Sequence, residues 1–321
     1  MSYLRLVMAD MQNVFVVCDA NVRQYALEIA GGRPLLAITA DEEHKSPDAV
    51  LSICRWLLEQ GADRDAVVYA VGGGCTSDVV GFAASIYKRG VLYANFPTTL
   101  LSMVDASIGG KTGVNLDGYK NMLGLTRFPS FVNVNPSFLS TLPRRELRSG
   151  AAEMLKTFII DDGGRHYEEA VQVLSGPLDI SALTPLIQAA GEVKRRIVER
   201  DPYESGARRF LNLGHTYGHA IEWWQAQDAS RPRFSHGEAV AIGIVQAARL
   251  SEKMGLCREG LSAKIASDFA LCGLPVDLPC EESSLAPAIR RDKKAEGGHI
   301  RFVVIEKIGK VSVINVPAPQ E

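Results

Sequence analysis

Ala66-Val-Val-Tyr-Ala-Val71 runs without a break into Gly72-Gly73-Gly74, and a helix-like stretch from Asp78 to Tyr87 follows at once. A short continuous apolar run that stops at a turn signal reads as a strand buried on both faces, and such strands belong to parallel sheets covered by helices. Two earlier stretches repeat the unit. Val14-Phe-Val-Val-Cys18 ends at Asp19, and a helical stretch runs from Asn21-Val22 to Ala30. Pro34-Leu-Leu-Ala-Ile-Thr39 precedes Ser46-Pro47, an N-cap and first helical residue for a helix from Asp48 to Gln60 that Gly61 closes. Repeated strand–helix units predict an α/β domain with a parallel sheet. Ligands of such sheets sit at the carboxyl ends of the strands, where Asp19 and the three glycines fall.

The glycine run lets a backbone approach a ligand closely and aims the free N–H groups of the next helix at an anion such as a pyrophosphate. A tight turn with close helix–sheet packing is the alternative. The arrangement is Gly-Gly-Gly-x3-Asp, not the Rossmann Gly-x-Gly-x2-Gly. From Phe96 to Asn115, hydroxyls, Asp105, Gly109-Gly110 and Lys111 follow one another in a segment too polar for core and too apolar for a linker, so it reads as a shaped loop lining a site. Arg89, Lys111 and Lys120-Asn121 would add local cations for a phosphate-bearing ligand.

Beyond Pro129, Pro136 and Pro143 the pattern turns to long helices. This places a boundary near Pro143, with residues 1–143 as the α/β domain and 144–321 as a mainly α-helical domain. A helix starting near Thr141-Leu-Pro143 carries Glu153 and Lys156 on one face, which taken alone reads as an exposed ion pair. Ser181 to Arg200 is a helix, Asp201-Pro-Tyr-Glu-Ser-Gly206 interrupts, and Arg208 leads into Leu211-Asn-Leu-Gly-His215-Thr-Tyr-Gly-His219-Ala-Ile-Glu222. His215 and His219 are one helical turn apart, and His236 follows ahead of an apolar helix from Gly237 to Met254. Together with Glu153 these offer four candidate ligands, where a catalytic zinc takes three and keeps a position open. At the C-terminus, Ile300 to Ile305 and Lys310 to Ile314 read as a small hairpin after a turn at Gly297-Gly298.

With a formal charge of −2, nothing argues for nucleic acid or an anionic membrane as partner. No apolar run of membrane-spanning length occurs, and the first residues lack the plan of a signal peptide. Six cysteines without a Cys-x2-Cys pair fit a reducing cytoplasm. A metal polarising a secondary alcohol next to an oxidised nicotinamide is hydride-transfer chemistry, and the two halves read as supplying the dinucleotide site and the metal site.

The residues carry a resemblance that goes further. Gly72 to Gly90, Pro97 to Asn115, Lys120-Asn121, Glu153-Met-Leu-Lys156 and the histidine stretch resemble the 3-dehydroquinate synthase family of sugar-phosphate cyclases, over a span from Val14 to Ile305. The resemblance implies an NAD-binding α/β domain followed by a helical metal domain. It implies conversion of 3-deoxy-D-arabino-heptulosonate 7-phosphate to 3-dehydroquinate, with phosphate released and NAD regenerated in each turnover. It implies that Glu153, His215 and His236 ligate the metal, zinc or cobalt, both of which suit a Glu/His set. His219 is left off the metal, near the substrate. Arg89, Lys111, Asn121, Lys156, Lys194, Glu204, Arg208 and Asn212 would line the substrate pocket, with Arg208 and Asn212 on turns of the helix before His215. Asp19, Asn21, Glu42, Lys45, Gly73, Gly74, Asp78, Thr98, Thr99, Asp105, Lys111, Lys120 and Thr141 would belong to the cofactor side. One of Lys293 or Lys294 would close on the substrate, and a homodimer is expected. The alternatives are a sibling cyclase making an inosose or a valiolone, and a metal-dependent polyol dehydrogenase. Leu125-Thr-Arg127 departs from the aromatic pattern that follows Lys-Asn in the family, and the stretch from Asp19 to Glu42 is compressed.

Overall fold

The computed structural model describes residues 13–117, 119–291, 295–296 and 299–317. Lys293, Lys294 and the Gly297-Gly298 turn lie outside the described residues. The chain divides into two compact units, the first ending at Thr141 and the second starting at Leu142.

In the first unit, strands β1 (Val14–Asp19), β2 (Leu35–Ile38), β3 (Val67–Gly72) and β4 (Leu92–Pro97) form one sheet in the order β2-β1-β3-β4. All neighbours are parallel, with Val16 level with both Leu35 and Tyr69, and Val71 level with Phe96. Helices α1 (Arg23–Ala30), α2 (Pro47–Glu59) and α3 (Gly74–Ile86) connect them. Successive side chains of a strand point to opposite faces. Phe15, Val17, Val68 and Ala70 accordingly pack with Ile53, Leu57 and Val80 from α2 and α3. Val14, Val16, Tyr69 and Val71 pack on the other face with Ala26 and Ala30 of α1. This is why β1 and β3 read as unbroken apolar runs. Ser46 caps α2 by accepting from the Ala49 amide at 3.3 Å, with Pro47 as its first residue.

The expected loop from Phe96 to Asn115 is more ordered than its composition suggests. It holds a π-helical turn, Ser102–Ala106, and its last part is strand β5 (Lys111–Leu116), paired antiparallel with β6 (Tyr119–Thr126). Thr112 and Val114 are buried, but polar and glycine neighbours hide the alternation that marks a strand.

In the second unit, α4 (Arg144–Ile160), α5 (Tyr167–Ser175), α6 (Ile180–Arg200), α7 (His215–Ala226), α8 (His236–Lys253), α9 (Leu261–Leu271) and α10 (Ala286–Arg291) precede β7 (Ala295–Glu296), β8 (His299–Lys307) and β9 (Lys310–Pro317). The expected hairpin is present as β8 and β9, with β7 added at its edge. Helix α4 is buried along nearly its whole length from Ser149 to Ile160. A reciprocal capping box of Ser235 and Glu238 starts α8.

Candidate active site

The histidine segment is not one helix. Ala207–Asn212 forms a 3-10 helix, Leu213 is extended, Gly214 has φ +79°, and α7 begins only at His215. Gly214 is required there: a Cβ would fall 2.6 Å from Ile244 Cγ1 and 2.7 Å from the Val240 carbonyl. Arg208 and Asn212 therefore do not extend the α7 face, contrary to the expectation from spacing. The break makes His215 the first residue of α7, and His236 is the first residue of α8. Two helix starts deliver two imidazoles to Glu153 in the middle of buried α4.

Glu153 is fully buried, and its oxygens accept no hydrogen bond of ordinary geometry. Around them stand Lys156 as an ion-pair partner, Nε2 of His236 at 3.5 Å and Nε2 of His215 at 3.9 Å. One ligand atom each from Glu153, His215 and His236 lies within 4.8 Å of the others. His215 Nδ1 is 3.2 Å from the Leu213 carbonyl, which leaves Nε2 as the lone-pair nitrogen if Nδ1 donates. His236 Nδ1 is 3.4 Å from Glu222 Oε1. A buried carboxylate facing two oriented imidazoles that are themselves held from behind fits a divalent metal of the zinc class.

The electrostatics agree with that chemistry. Burial would raise the Glu153 carboxyl, yet Lys156 and then His236 outweigh it and hold it at about 2. Burial, helped by Lys156 and the other two imidazoles, drives His215 well below its ordinary value, so it is neutral and ligand-ready. Burial opposes a proton on His236, but Glu222 and Glu153 prevail and raise it to about 10. His219 lies outside the ligand set among the described residues. It is more exposed than His215, with its ring 5.4 Å from that of His215.

Other expected residues of the second unit fall into a polar group. Lys156 and Lys194 are buried, and Arg208 is buried with its guanidinium donating to the Pro202 carbonyl at 2.5 Å. Asn212 Nδ2 donates to Glu204 Oε1 at 2.5 Å. A cavity of about 150 Å³ is lined by Glu204 and Asn212 together with Arg209, Thr216 and Arg301, which the sequence reading did not single out. Glu222 was also missed, although its place three residues after His219 and seven after His215 puts it on their face of α7.

In the first unit, Gly73 and Gly74 open α3, whose first turn takes no side-chain cap. A Cβ on Gly73 would lie 3.2 Å from Thr99 Cγ2, and one on Gly74 would lie 2.9 Å from Ala106 Cβ. Close packing and uncapped helix N–H groups thus coexist, and the donor set fits a pyrophosphate. Thr98 donates its amide to the Gly72 carbonyl at 2.9 Å, Thr99 Oγ1 accepts from the Ser102 amide, and Asp105 sits partly buried on the π-helical turn. Lys45 is buried, with Nζ 2.6 Å from both Asp78 Oδ2 and Asn121 Oδ1. Asn121 takes its amide to Asn115 Oδ1, and Asn115 Nδ2 donates to Glu42. Five residues, four of them expected as cofactor or substrate contacts, are therefore one network. Asp19 accepts from the Asn21 amide at 2.9 Å, and Thr141 Oγ1 lies 2.9 Å from the Tyr25 hydroxyl. Lys111 and Lys120 are exposed. Arg89 is not brought to this group. It follows the C-terminal end of α3, beside Asp63, Arg64, Asp65 and Lys88, whereas the glycines are at the other end of the same 13-residue helix.

Residues 35–149 match the family model described as 3-dehydroquinate synthase N-terminal, and residues 150–295 match the C-terminal one. The chain belongs to the 3-dehydroquinate synthase family. A 3-dehydroquinate synthase of Acidithiobacillus ferrooxidans is 42% identical, over 95% of this chain and 86% of that protein. Among solved structures, a 2-deoxy-scyllo-inosose synthase complexed with carbaglucose-6-phosphate, NAD+ and Co2+ superposes with a TM-score of 0.86 at 25% identity, covering 98% of this chain and 91% of that one. The 2-epi-5-epi-valiolone synthase of Streptomyces hygroscopicus subsp. jinggangensis 5008, with NAD+ and Zn2+ bound, superposes with a TM-score of 0.84 at 29% identity over 97% and 90%. In the 3-dehydroquinate synthase frame, the glycine run and the Lys45 network fall in the N-terminal match. Glu153, His215 and His236 fall in the C-terminal one.

Proposed function

We propose that this chain is a 3-dehydroquinate synthase, a phosphate-eliminating lyase that converts 3-deoxy-D-arabino-heptulosonate 7-phosphate to 3-dehydroquinate in aromatic amino acid biosynthesis. The observation that carries the reading is the buried Glu153 with Nε2 of His215 and His236 turned toward it, in a chain of this family. The first unit would hold NAD+ through Gly73, Gly74, Thr98, Thr99, Asp105, Lys111, Lys120 and Thr141, with Asp19, Asn21, Glu42, Lys45 and Asp78. The second would hold zinc or cobalt through Glu153, His215 and His236. When bound, the metal supplies Lewis acidity to a substrate hydroxyl and the dinucleotide supplies a hydride acceptor that is restored before release.

The chain's own residues position and neutralise. Lys156, Lys194 and Arg208 are fixed cations in a dry setting, where attraction to a carboxylate or phosphate exceeds that in water. Glu204 and Asn212 orient substrate hydroxyls from their shared hydrogen bond. His219, outside the ligand set, is the proposed group for substrate proton transfer. Lys111 and Asn121 are the first unit's proposed substrate contacts. Positioning of this kind accounts for a large part of a rate enhancement when reacting groups are held in line.

The sibling cyclases are the second reading, and the higher identity to a 3-dehydroquinate synthase than to either sibling structure weighs against it. A polyol dehydrogenase would accumulate NADH. The deciding assay follows inorganic phosphate from purified protein, NAD+, zinc and the heptulosonate phosphate, with and without chelator. Chelator-sensitive phosphate release without net NADH is expected, and silence with every divalent metal tried overturns the proposal. We further propose a homodimer, to be tested by sedimentation, and a reducing cytoplasm, in keeping with six free cysteines.

A further inference from the structure

Asp201 directly follows the last residue of α6 and is buried. Its two carboxylate oxygens accept four hydrogen bonds, all from the next few residues. Oδ1 takes the Ser205 amide at 2.9 Å and the Ser205 hydroxyl at 3.0 Å. Oδ2 takes the Gly206 amide at 2.6 Å and the Arg208 amide at 3.0 Å. The chain is thereby wound around one carboxylate between α6 and the 3-10 helix that precedes His215.

The winding decides where three other side chains go. Glu204 sits at φ +60°, a left-handed conformation that non-glycine residues enter only when neighbours enforce it. In that conformation its Oε1 meets Asn212 Nδ2, and its carbonyl accepts from Arg209 Nε at 3.3 Å. Arg208 has its amide on Asp201 and its guanidinium on the Pro202 carbonyl within the same loop. An ionised acceptor suits the task, since bonds to a carboxylate are roughly twice as strong as neutral ones, and the Arg208 amide is buried, where a donor left unmet is costly. The carboxyl is held down at about 2: burial opposes this, but the Gly206, Ser205 and Arg208 amides outweigh it.

We propose that Asp201 is a positioning residue for substrate: its carboxylate folds residues 201–212 around itself and so sets Glu204, Arg208 and Asn212 in the arrangement that receives the sugar phosphate. The inference rests on the proposed function for the substrate's identity, and on the bond pattern alone for the anchor. It separates Asp201 from the metal cluster, because none of its four donors belongs to a ligand residue.

The test compares the zinc- and NAD-loaded parent with Asp201→Asn and Asp201→Glu. The amide keeps the shape but turns an N–H2 group toward donors, while the longer acid keeps the charge and shifts it by a methylene. Expected for Asp201→Asn is a fall in kcat/KM of about 10²-fold, dominated by KM, as for groups displaced by about 1 Å. Metal content and NAD+ affinity stay at the parent's values, and Asp201→Glu falls in between. Amide exchange at Ser205, Gly206 and Arg208 accelerates at least about tenfold in Asp201→Asn while α4 and α8 stay protected. A kcat/KM within threefold of the parent overturns the proposal, as does a loss spread equally over metal, NAD+ and substrate. If Asp201→Asn does not accumulate, Ser205→Ala carries the test by removing one donor. A KM raised about threefold with metal retained supports the anchor, and an unchanged KM overturns it. A parent that releases no phosphate refutes the functional reading instead, and the exchange measurement then decides the anchor alone.

Discussion

Replacing Lys156 by methionine keeps the bulk of a side chain that is 1% exposed and removes the charge that faces Glu153, itself fully buried. Breaking a buried ion pair from one side costs about 3–5 kcal/mol, because the remaining charge is left uncompensated. Here the lower end applies, since His236 stands 3.5 Å from the same carboxylate and is raised to about 10 by Glu222 and Glu153 after opposing its own burial. The second unit has about 180 residues, a size at which 1 kcal/mol moves the melting temperature by roughly 2–4 °C. Lys156→Met should therefore melt roughly 6–12 °C below the parent at pH 7 in the presence of chelator.

The pH dependence has a definite sign. Glu153 has its carboxyl depressed from 4.5 to about 2, so the stability it contributes is present above about pH 4.5 and is lost as pH falls toward 2. Without Lys156, burial pushes the carboxyl back up, and the deficit of the variant is largest near neutrality and shrinks in acid. Differential scanning calorimetry between about pH 2 and 8 measures both effects. In a double-mutant cycle, adding Glu153→Gln to Lys156→Met should recover part of the loss. Arg195 and Glu192 provide the control: the same i, i+3 spacing and a 2.7 Å contact, but both half exposed. Arg195→Met should leave the melting temperature unmoved, as exposed pairs do. A drop under 2 °C for Lys156→Met, with helicity intact, would refute the reasoning.

His236→Ala should lose bound metal, whereas His219→Ala should keep it and lose about 10²-fold in rate, the usual range for a proton-transfer group. Metal analysis of both proteins decides, and a metal-free His219→Ala would sink the division of roles. Because Glu222 and Glu153 keep a proton on His236 to about pH 10 against the effect of burial, zinc uptake near pH 7.5 should release about one proton, read as a buffer-dependent heat in titration calorimetry. Buffer-independent heats would contradict this. Glu222→Gln should weaken zinc by about 10–100-fold, and parent-like affinity would leave His236 without need of its support. Gly237→Ala should lower stability by at least about 1–3 kcal/mol, since its Cβ would fall 2.0 Å from the Ser149 carbonyl where α8 crosses α4. An unchanged melting temperature would show that the two helices can part there.

The sheet was legible because β1 and β3 are covered on both faces, so nothing but apolar residues fits them, and because Ser46-Pro47 and Gly61 mark the ends of α2 chemically. The strand from Lys111 to Leu116 was not. Val114 is its one large apolar inward residue, and Thr112, Gly113 and Asn115 are chosen by contacts across the hairpin and to Lys45 and Glu42, which have no period in the sequence. Composition there reports the neighbours' needs rather than the strand's.

In the active site the types of residue were legible and their settings were not. Glu153–Lys156 and Glu192–Arg195 have the same spacing on helices, and only burial separates a metal-poised carboxylate from a solvated pair. The sequence does hold a cue. Ser149 to Ile160 is small or apolar around the whole helix, and a helix without a polar face is buried on all sides, charges included. Likewise, reading Leu211 to Glu222 as a single helix overlooked what Gly214 can do. A left-handed residue there turns the chain, so that His215 starts a helix rather than continuing one, and the residues before it are released to a different direction. Arg208 and Asn212 could then be gathered with Glu204 around Asp201, while His215 faces Glu153. Four-residue spacing suggested two equivalent histidines. The glycine between Asn212 and His215 is what makes a ligand group and a substrate group out of adjacent sequence.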